Sequence, residues 1–362
     1  MKKITLFVAA IMASAAMLAE GTAKVELLWK NESLSSINSG DHARDMDYYN
    51  GKLYVMNKND KKVYTLDAAT GALDETAIDF EKFTGYSVCI DNAGNILATE
   101  GAYGMTNCLK MSKVVDGTPT YLENTATATN RIDYLDVYGD IESEEGAIVV
   151  GANTNNADIV AVWSMKNGGL VNAAEPVLYS NVRGASGTNS DVCIVSKTAF
   201  WTNSAGGNVK PTLFTLNDDL SMKDVKTVNV MCADGGISAF TIYSKEYIAV
   251  VVKKDEKKVL TIYDVTDPAA ATEVVAATDE LTGNSTHKGI EAVVEDGVAT
   301  IYVWCPNANA LAYKFTPAEE DDTTTAVENT TATVKVQKLM RDGQVLMVRD
   351  GKTFNMMGQE IR

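Results

Sequence analysis

Asp45-Met-Asp-Tyr-Tyr-Asn-Gly-Lys-Leu-Tyr-Val-Met56 combines a short strand-like segment, an Asn-Gly turn and a second apolar strand. The same arrangement returns at Ser87–Thr99 and at Gly289–Val303, and it recurs about six times along the chain. A period of roughly 40 to 50 residues, made of strands and turns, is typical of the blades of a β-propeller. The sequence therefore predicts an all-β fold, a six-bladed β-propeller.

The last of the six repeated units is one strand short. The predicted units are Asp45–Phe80, Tyr86–Glu123, Ile132–Tyr179, Asp191–Val230, Ile237–Val275 and Gly289–Phe315. A ring that does not close leaves an unpaired sheet edge. Lys24-Val-Glu-Leu-Leu-Trp29 is strand-like and has no partner of its own. We therefore predict that Val25 to Trp29 pairs with Leu311 to Phe315 and completes the sixth blade.

Both ends of the chain are predicted to lie outside the propeller. Residues 1–23 have the charged start, short apolar run and small residues of a secretory signal peptide. The propeller is predicted at 24–316, an acidic, Thr-rich linker at 317–332, and a small C-terminal β-hairpin or meander at 333–362. We expect a secreted protein, extracellular, periplasmic or on a cell surface, with no transmembrane segment in the mature chain.

The net charge and the cysteine content indicate which classes of partner, metal site and disulfide to expect. The formal net charge of -16 disfavours nucleic acid and is compatible with cations, neutral glycans or basic partners. The five cysteines match no zinc motif. Cys89, Cys193 and Cys305 lie in apolar strand patterns and are predicted to be buried. A disulfide between Cys89 and Cys108 is an open alternative.

Candidate binding residues lie on the loops that enter the innermost strands, because these loops surround one mouth of the channel. The candidates are His42, Arg44, Asp45, Tyr86, Arg131, Arg183, Asn189, His287, Lys288 and Glu291. His42 and His287, the only histidines, fall in like positions of blades that ring closure makes neighbours. They are predicted either to share a ligand or a metal, or to be ordinary loop residues. No serine-hydrolase elbow, zinc-protease helix or nucleotide-binding motif is present, so no catalytic residue is predicted.

Two stretches resemble known families. Leu53-Tyr-Val-Met-Asn57, followed by Lys62-Val-Tyr-Thr-Leu-Asp67, resembles blades of YVTN/lactonase-like and quinoprotein-like propellers. The six-bladed lactonases hold a divalent cation with carboxylate and amide oxygens. That resemblance implies a candidate calcium set of Asp45, Asp133, Asn189 and Glu291. The C-terminal tail, with Arg341-Asp-Gly343 and Arg349-Asp-Gly351, resembles type IX secretion sorting tails, which implies an outer-membrane secretion partner.

Three functions are consistent with the sequence. The preferred hypothesis is a non-enzymatic module that binds a glycan, peptide or protein at the channel mouth and needs no cofactor. The alternatives are a calcium-dependent lactonase or hydrolase and an assembly scaffold at the cell envelope. Convergent acidic side chains on the propeller axis would favour the metal enzyme. A mouth of Arg, Tyr and Gly would favour the binding module.

Overall fold

The computed structural model describes residues 22–38, 42–80, 85, 87–99, 109–124, 132–153, 160–171, 177–179, 190–205, 210–283, 287–318, 337–341, 344–349, 352–354 and 360–361. The chain divides into two compact units, one of which is Gly21–Ala318. This unit is the six-bladed β-propeller that the repeats predict, so the predicted fold class is confirmed. The predicted signal peptide and linker lie outside the described residues, apart from Thr22, Ala23, Pro317 and Ala318.

Each blade is an antiparallel sheet whose first strand is innermost. A single strand, β1 (Lys24–Asn31), precedes blade 1, which contains β2 (Met46–Tyr49), β3 (Lys52–Asn57), β4 (Lys62–Asp67) and β5 (Leu73–Asp79). Blade 2 contains β6 (Val88–Ile90), β7 (Ile96–Thr99), β8 (Leu109–Val115) and β9 (Thr118–Asn124). Blade 3 contains β10 (Ile132–Gly139), β11 (Ala147–Asn153), β12 (Val160–Lys166), β13 (Gly169–Leu170) and β14 (Val177–Tyr179). In blade 3, β13 and β14 both pair with β12.

Blades 4 to 6 repeat this order. Their strands are β15 (Ser190–Ser196), β16 (Ala199–Ser204), β17 (Thr212–Leu216), β18 (Met222–Thr227), β19 (Ile237–Ile242), β20 (Lys245–Lys254), β21 (Lys257–Asp264), β22 (Thr272–Ala276), β23 (Gly289–Glu295), β24 (Val298–Cys305) and β25 (Asn309–Thr316). A single-turn 3-10 helix, Pro268–Ala270, precedes β22. Within the described part of the chain, no helix has the length and apolar character needed to cross a membrane.

The N-terminal strand closes the ring, as predicted. β1 pairs antiparallel with β25, with Val25 opposite Phe315. Trp29 anchors this strand on blade 1, because its indole N–H donates to the Ala68 carbonyl at 3.0 Å. A Cβ at Gly71, whose φ is +71°, would lie 2.6 Å from the Trp29 ring. Glycine is therefore favoured at this position for two reasons: the backbone is left-handed, and a larger side chain would clash with Trp29 of the closing strand.

The core lies between neighbouring blades, where the sheet faces pack on each other. Tyr48 of blade 1 stacks on Tyr302 of blade 6 with ring centroids 5.7 Å apart. Phe240 and Tyr247 of blade 5 pack edge-on against Phe315 of blade 6. Aromatic contacts of this kind stabilise an interface beyond the area they bury. They hold the blades, and therefore the channel walls, in fixed positions.

The four cysteines that the structure describes are free thiols. Cys89, Cys232 and Cys305 are buried, and Cys193 is partly exposed. Cys89 is therefore not in a disulfide, and Cys108 lies outside the described residues.

The C-terminal strands form a sheet of their own. It runs in the order β26 (Gln337–Arg341), β27 (Gln344–Arg349), β28 (Lys352–Phe354) and β29 (Glu360–Ile361). Its strands are antiparallel, with Arg341 opposite Gln344 and Arg349 opposite Lys352. This is the meander that the two Asp-Gly turns predict.

Candidate functional site

The channel of the propeller contains five carboxylates. Four lie on innermost strands, Asp47 on β2, Asp136 on β10, Asp191 on β15 and Glu291 on β23, and Asp45 immediately precedes β2. All five line one cavity of about 20 Å³. A space of this size holds one water molecule or a single group of similar size, and it is too small for a sugar ring.

Most of these carboxylates bond to the next blade. Asp191 accepts from its neighbour Val192 N at 2.8 Å and from Ile237 N of blade 5 at 3.2 Å. Asp136 accepts from Ile194 N of blade 4 at 2.5 Å. Carboxylate acceptors strengthen such bonds relative to neutral ones. These side chains therefore join the innermost strands around the axis.

Two acids at the start of blade 1 also accept hydrogen bonds from the next blade. Asp47 accepts from Ile90 N of blade 2. Asp45 accepts from Ser87 Oγ at 2.7 Å, and that hydroxyl in turn accepts from Leu135 N of blade 3 at 3.0 Å. Strand side chains alternate between faces, so acids two residues apart point to the same neighbouring blade. The acids thus form two layers along the axis.

The two layers differ in their access to solvent. Asp45 and Asp191, in the layer nearer the loops that enter the innermost strands, are only 6% and 5% exposed. Asp47, Asp136 and Glu291, in the second layer, are partly exposed. We call the side of the ring with those loops the loop face, and the side with the turns between first and second strands the hairpin face. The more exposed layer of acids is therefore the one nearer the hairpin face.

A tyrosine and a histidine meet on the loop-face side of the channel. The Tyr134 hydroxyl and His287 Nδ1 are hydrogen-bond partners, and the two rings stack 5.9 Å apart. Tyr134 belongs to blade 3 and His287 immediately precedes blade 6, so the pair joins opposite sides of the six-bladed ring. Both side chains are buried. The contact therefore links two innermost strands across the channel.

Burial inside the channel raises the pKa of every one of the five acids. Desolvation raises the pKa of Asp45 to about 7, against the lowering effect of the Ser87 hydrogen bond. It raises the pKa of Asp136 to about 6, although Ile194 N and Val137 N lower it. These raised pKa values bring the titration of both carboxyl groups close to neutral pH.

The other three acids show the same effect more strongly. Desolvation, followed by neighbouring carboxylates, raises the pKa values of Asp47, Asp191 and Glu291 well above their usual range. Asp47 is the neighbour that most raises the pKa of Glu291. Because a nearby positive charge favours the ionised form of a carboxyl group, a cation placed among these acids would lower their pKa values and pair with their charges.

No basic side chain belongs to the described lining of this cavity. The nearby Lys288 is fully buried and lies 3.8 Å from Asp234, which also pairs with Lys258 at 2.7 Å. That arrangement holds the Lys288 charge beside an acid outside the cavity. Four of the channel acids therefore have hydrogen-bond donors as partners, and no cation belongs to the described lining around them.

The sequence candidates are distributed unevenly around this site. Asp45 and Glu291 line the cavity, whereas His287 and Lys288 are buried beside it with the partners described above. His42 and Arg44 are partly exposed before β2, and the contact that the structure shows for His287 is with Tyr134 rather than His42. The remaining candidates, Tyr86, Arg131, Arg183 and Asn189, lie outside the described residues.

Sequence reasoning missed three of the acids, although a signal existed. Asp47, Asp136 and Asp191 were not among the candidates. Each stands in an innermost strand next to a buried apolar residue, where a charged residue is unexpected. When several blades carry an acid at this position, the pattern indicates that these side chains meet at the axis of the ring.

The described residues do not fit a divalent metal site. Among them, no group of three or more His, Cys, Asp or Glu side chains is arranged to hold a metal ion. Five acids do converge on the axis, which is the arrangement expected to favour the metal enzyme, yet no three of them are placed to share one ion. Asn189 and the Asp133 side chain, which complete the calcium set that the lactonase resemblance implies, lie outside the described parts.

Comparison with known proteins identifies no family. No family model matches the chain, and no curated protein matches it. One similar solved structure is a luciferin-regenerating enzyme, at 8% identity and TM-score 0.46 over 81% of this chain and 95% of that one. Another is the WD40 domain of Toxoplasma gondii coronin, at 7% identity and TM-score 0.45 over 77% and 70%. Neither TM-score reaches 0.5, so function has to be inferred from this chain's own residues.

Proposed function

We propose that this protein is a secreted, non-catalytic binding module that takes a positively charged side chain of a peptide or protein partner into the hairpin-face opening of its channel. The observation that carries the proposal is the ring of five carboxylates around a small cavity whose described lining contains no cation. The net charge of -16 favours the approach of basic partners over long distances.

Size and charge together favour a lysine side chain. An ammonium group is about as large as a water molecule, which a cavity of about 20 Å³ accommodates. Its aliphatic stem passes through a narrow opening more easily than a sugar ring does. The partly exposed Asp47, Asp136 and Glu291 are the groups that it would meet first.

A random octapeptide library selected on the full mature chain tests the proposal. We expect enrichment of lysine and binding that weakens from 50 to 500 mM NaCl, since exposed charge interactions are screened. Replacing the selected lysine with norleucine should abolish binding, and Glu291→Gln should weaken it about fivefold. Glu295→Gln, on the exposed end of the same strand, is the matched control. Selected peptides without basic residues, or binding unaffected by Glu291→Gln, would contradict the proposal.

We also propose that residues 333–362 act as a sorting tail for secretion across an outer membrane. The support is the resemblance of the two Asp-Gly turns to such tails, together with a separate sheet formed by β26–β29. Deleting 333–362 should leave the propeller inside the producing cell, as measured by the fraction of protein in the culture medium. Undiminished release of the shortened chain would remove this role.

A further inference from the structure

A second, larger recess opens between blades 4 and 5. It has a volume of about 360 Å³, within the range of sites that hold a small ligand or a large side chain. Its walls come from both blades and include Val195, Ala199 and Trp201 of blade 4 and Ala239, Thr241 and Glu246 of blade 5. Because Val195, Ser196 and Thr241 are near the ends of innermost strands, this cleft lies on the hairpin face.

The cleft has an apolar base and a polar rim. Trp201 at the base is 3% exposed and packs with Leu213 and Ala239 between blades 4 and 5, whereas the rings of Phe240 and Tyr247 pack on the other face of blade 5 against Phe315. The rim carries hydroxyls and one carboxylate, Glu246, and no basic residue belongs to the described lining. Val195 on the rim is 39% exposed. Such a recess is suited to an apolar side chain, and its charge favours a partner with positive residues nearby.

The cleft continues directly from the channel along two strands. On β15, Cys193 lines the channel cavity and Val195 lines the cleft. On β19, Ile237 lines the cavity and Ala239 lines the cleft. Residues two apart on a strand are about 7 Å apart, which is also the spacing of alternate residues in an extended peptide.

We propose that the cleft binds a large apolar side chain of an extended basic peptide, two residues away from the lysine that enters the channel. This inference rests on the proposed function and names the partner more closely: an extended segment in which lysine and an apolar residue are separated by one residue. The channel selects for charge, and the cleft selects for apolar size.

Short peptides with blocked ends test the spacing. Peptides containing Lys-Ser-Phe or Phe-Ser-Lys are compared with Lys-Ser-Ser, Lys-Phe and Lys-Ser-Ser-Phe versions. At least one of the first two should bind about tenfold or more tightly than Lys-Ser-Ser, because it buries an aromatic side chain. The other spacings should lose that advantage. Binding should change Trp201 fluorescence, and Trp201→Phe should remove the signal.

Two variants separate the cleft from the channel. Ala199→Phe should fill the cleft and abolish the advantage of the phenylalanine peptide while preserving dependence on lysine. Thr241→Trp, on the exposed rim, should do the same and serves if Ala199→Phe does not fold. Val294→Phe is the matched control, since it adds an aromatic ring at a 36% exposed residue of blade 6 outside the cleft lining.

The outcomes are distinguishable. If lysine is required and phenylalanine gives no advantage, the cleft proposal is wrong and the proposed function stands. An advantage that survives both cleft variants also overturns the cleft proposal. If binding does not depend on lysine, the proposed function itself fails.

Discussion

The channel cavity and the cleft share two strands, β15 and β19, yet they have opposite character. The cavity is about 20 Å³ and acidic, and its aspartates are bonded to the next blade. The cleft is about 360 Å³, with an apolar base that includes Trp201 and a rim that includes the exposed Val195. Asp191, Cys193 and Val195 are alternate residues of β15 and face blade 5 in succession. Position along one strand therefore decides whether a side chain holds the ring or remains available to a partner.

The largest expected effect on stability comes from removing an acid that joins two blades. Asp191→Ala should lower the free energy of unfolding by about 2 kcal/mol, because it leaves Val192 N and Ile237 N without their acceptor in a buried position. Val195→Ala, four residues along the same strand, should change it by less than about 0.5 kcal/mol. Urea denaturation monitored by circular dichroism measures both. Equal losses for the two variants would show that the layer of acids does not join the blades.

A smaller effect is the change in folding stability with pH that the buried channel acids cause. A carboxyl group whose pKa is higher in the folded than in the unfolded protein stabilises the fold below its unfolded pKa, and that stability is lost as pH rises through the folded pKa. For Asp45 and Asp136 the folded values are about 7 and about 6, against 3.8. The unliganded protein should therefore become less stable between pH 5 and pH 8.

The Glu291→Gln variant measures how much a single channel acid contributes to this pH dependence of stability. No described hydrogen bond involves the Glu291 side chain, and its pKa is raised by burial and by Asp47. The variant should therefore be more stable than the wild type by about 1 kcal/mol at pH 8 and much less so at pH 5. Thermal unfolding at both pH values measures the difference, with Glu295→Gln as control. A stability gain of the same size at both pH values would argue against titration of Glu291 as its cause.

The sequence predicts much of the fold and part of the site. Turn chemistry such as Asn50-Gly51 and Asp296-Gly297 marks hairpins locally, and both turns have the positive φ angles that this chemistry favours. The unpaired segment before blade 1 also predicts ring closure, because an open sheet edge is costly. Asp45 and Glu291 were identified from their positions before or within innermost strands. The other three acids were missed because strand patterning alone does not show which residues meet on an axis.

Local patterns determined the blades of this protein, their order and the strand that closes the ring, because turns and alternating strands depend on residues close together in the chain. Tertiary structure alone decided that Tyr134 meets His287 and that Asp191 binds an amide of blade 5. It also decided that Val195 and Thr241 share a cleft. These contacts join residues 46 or more positions apart, and their geometry depends on how the complete ring packs.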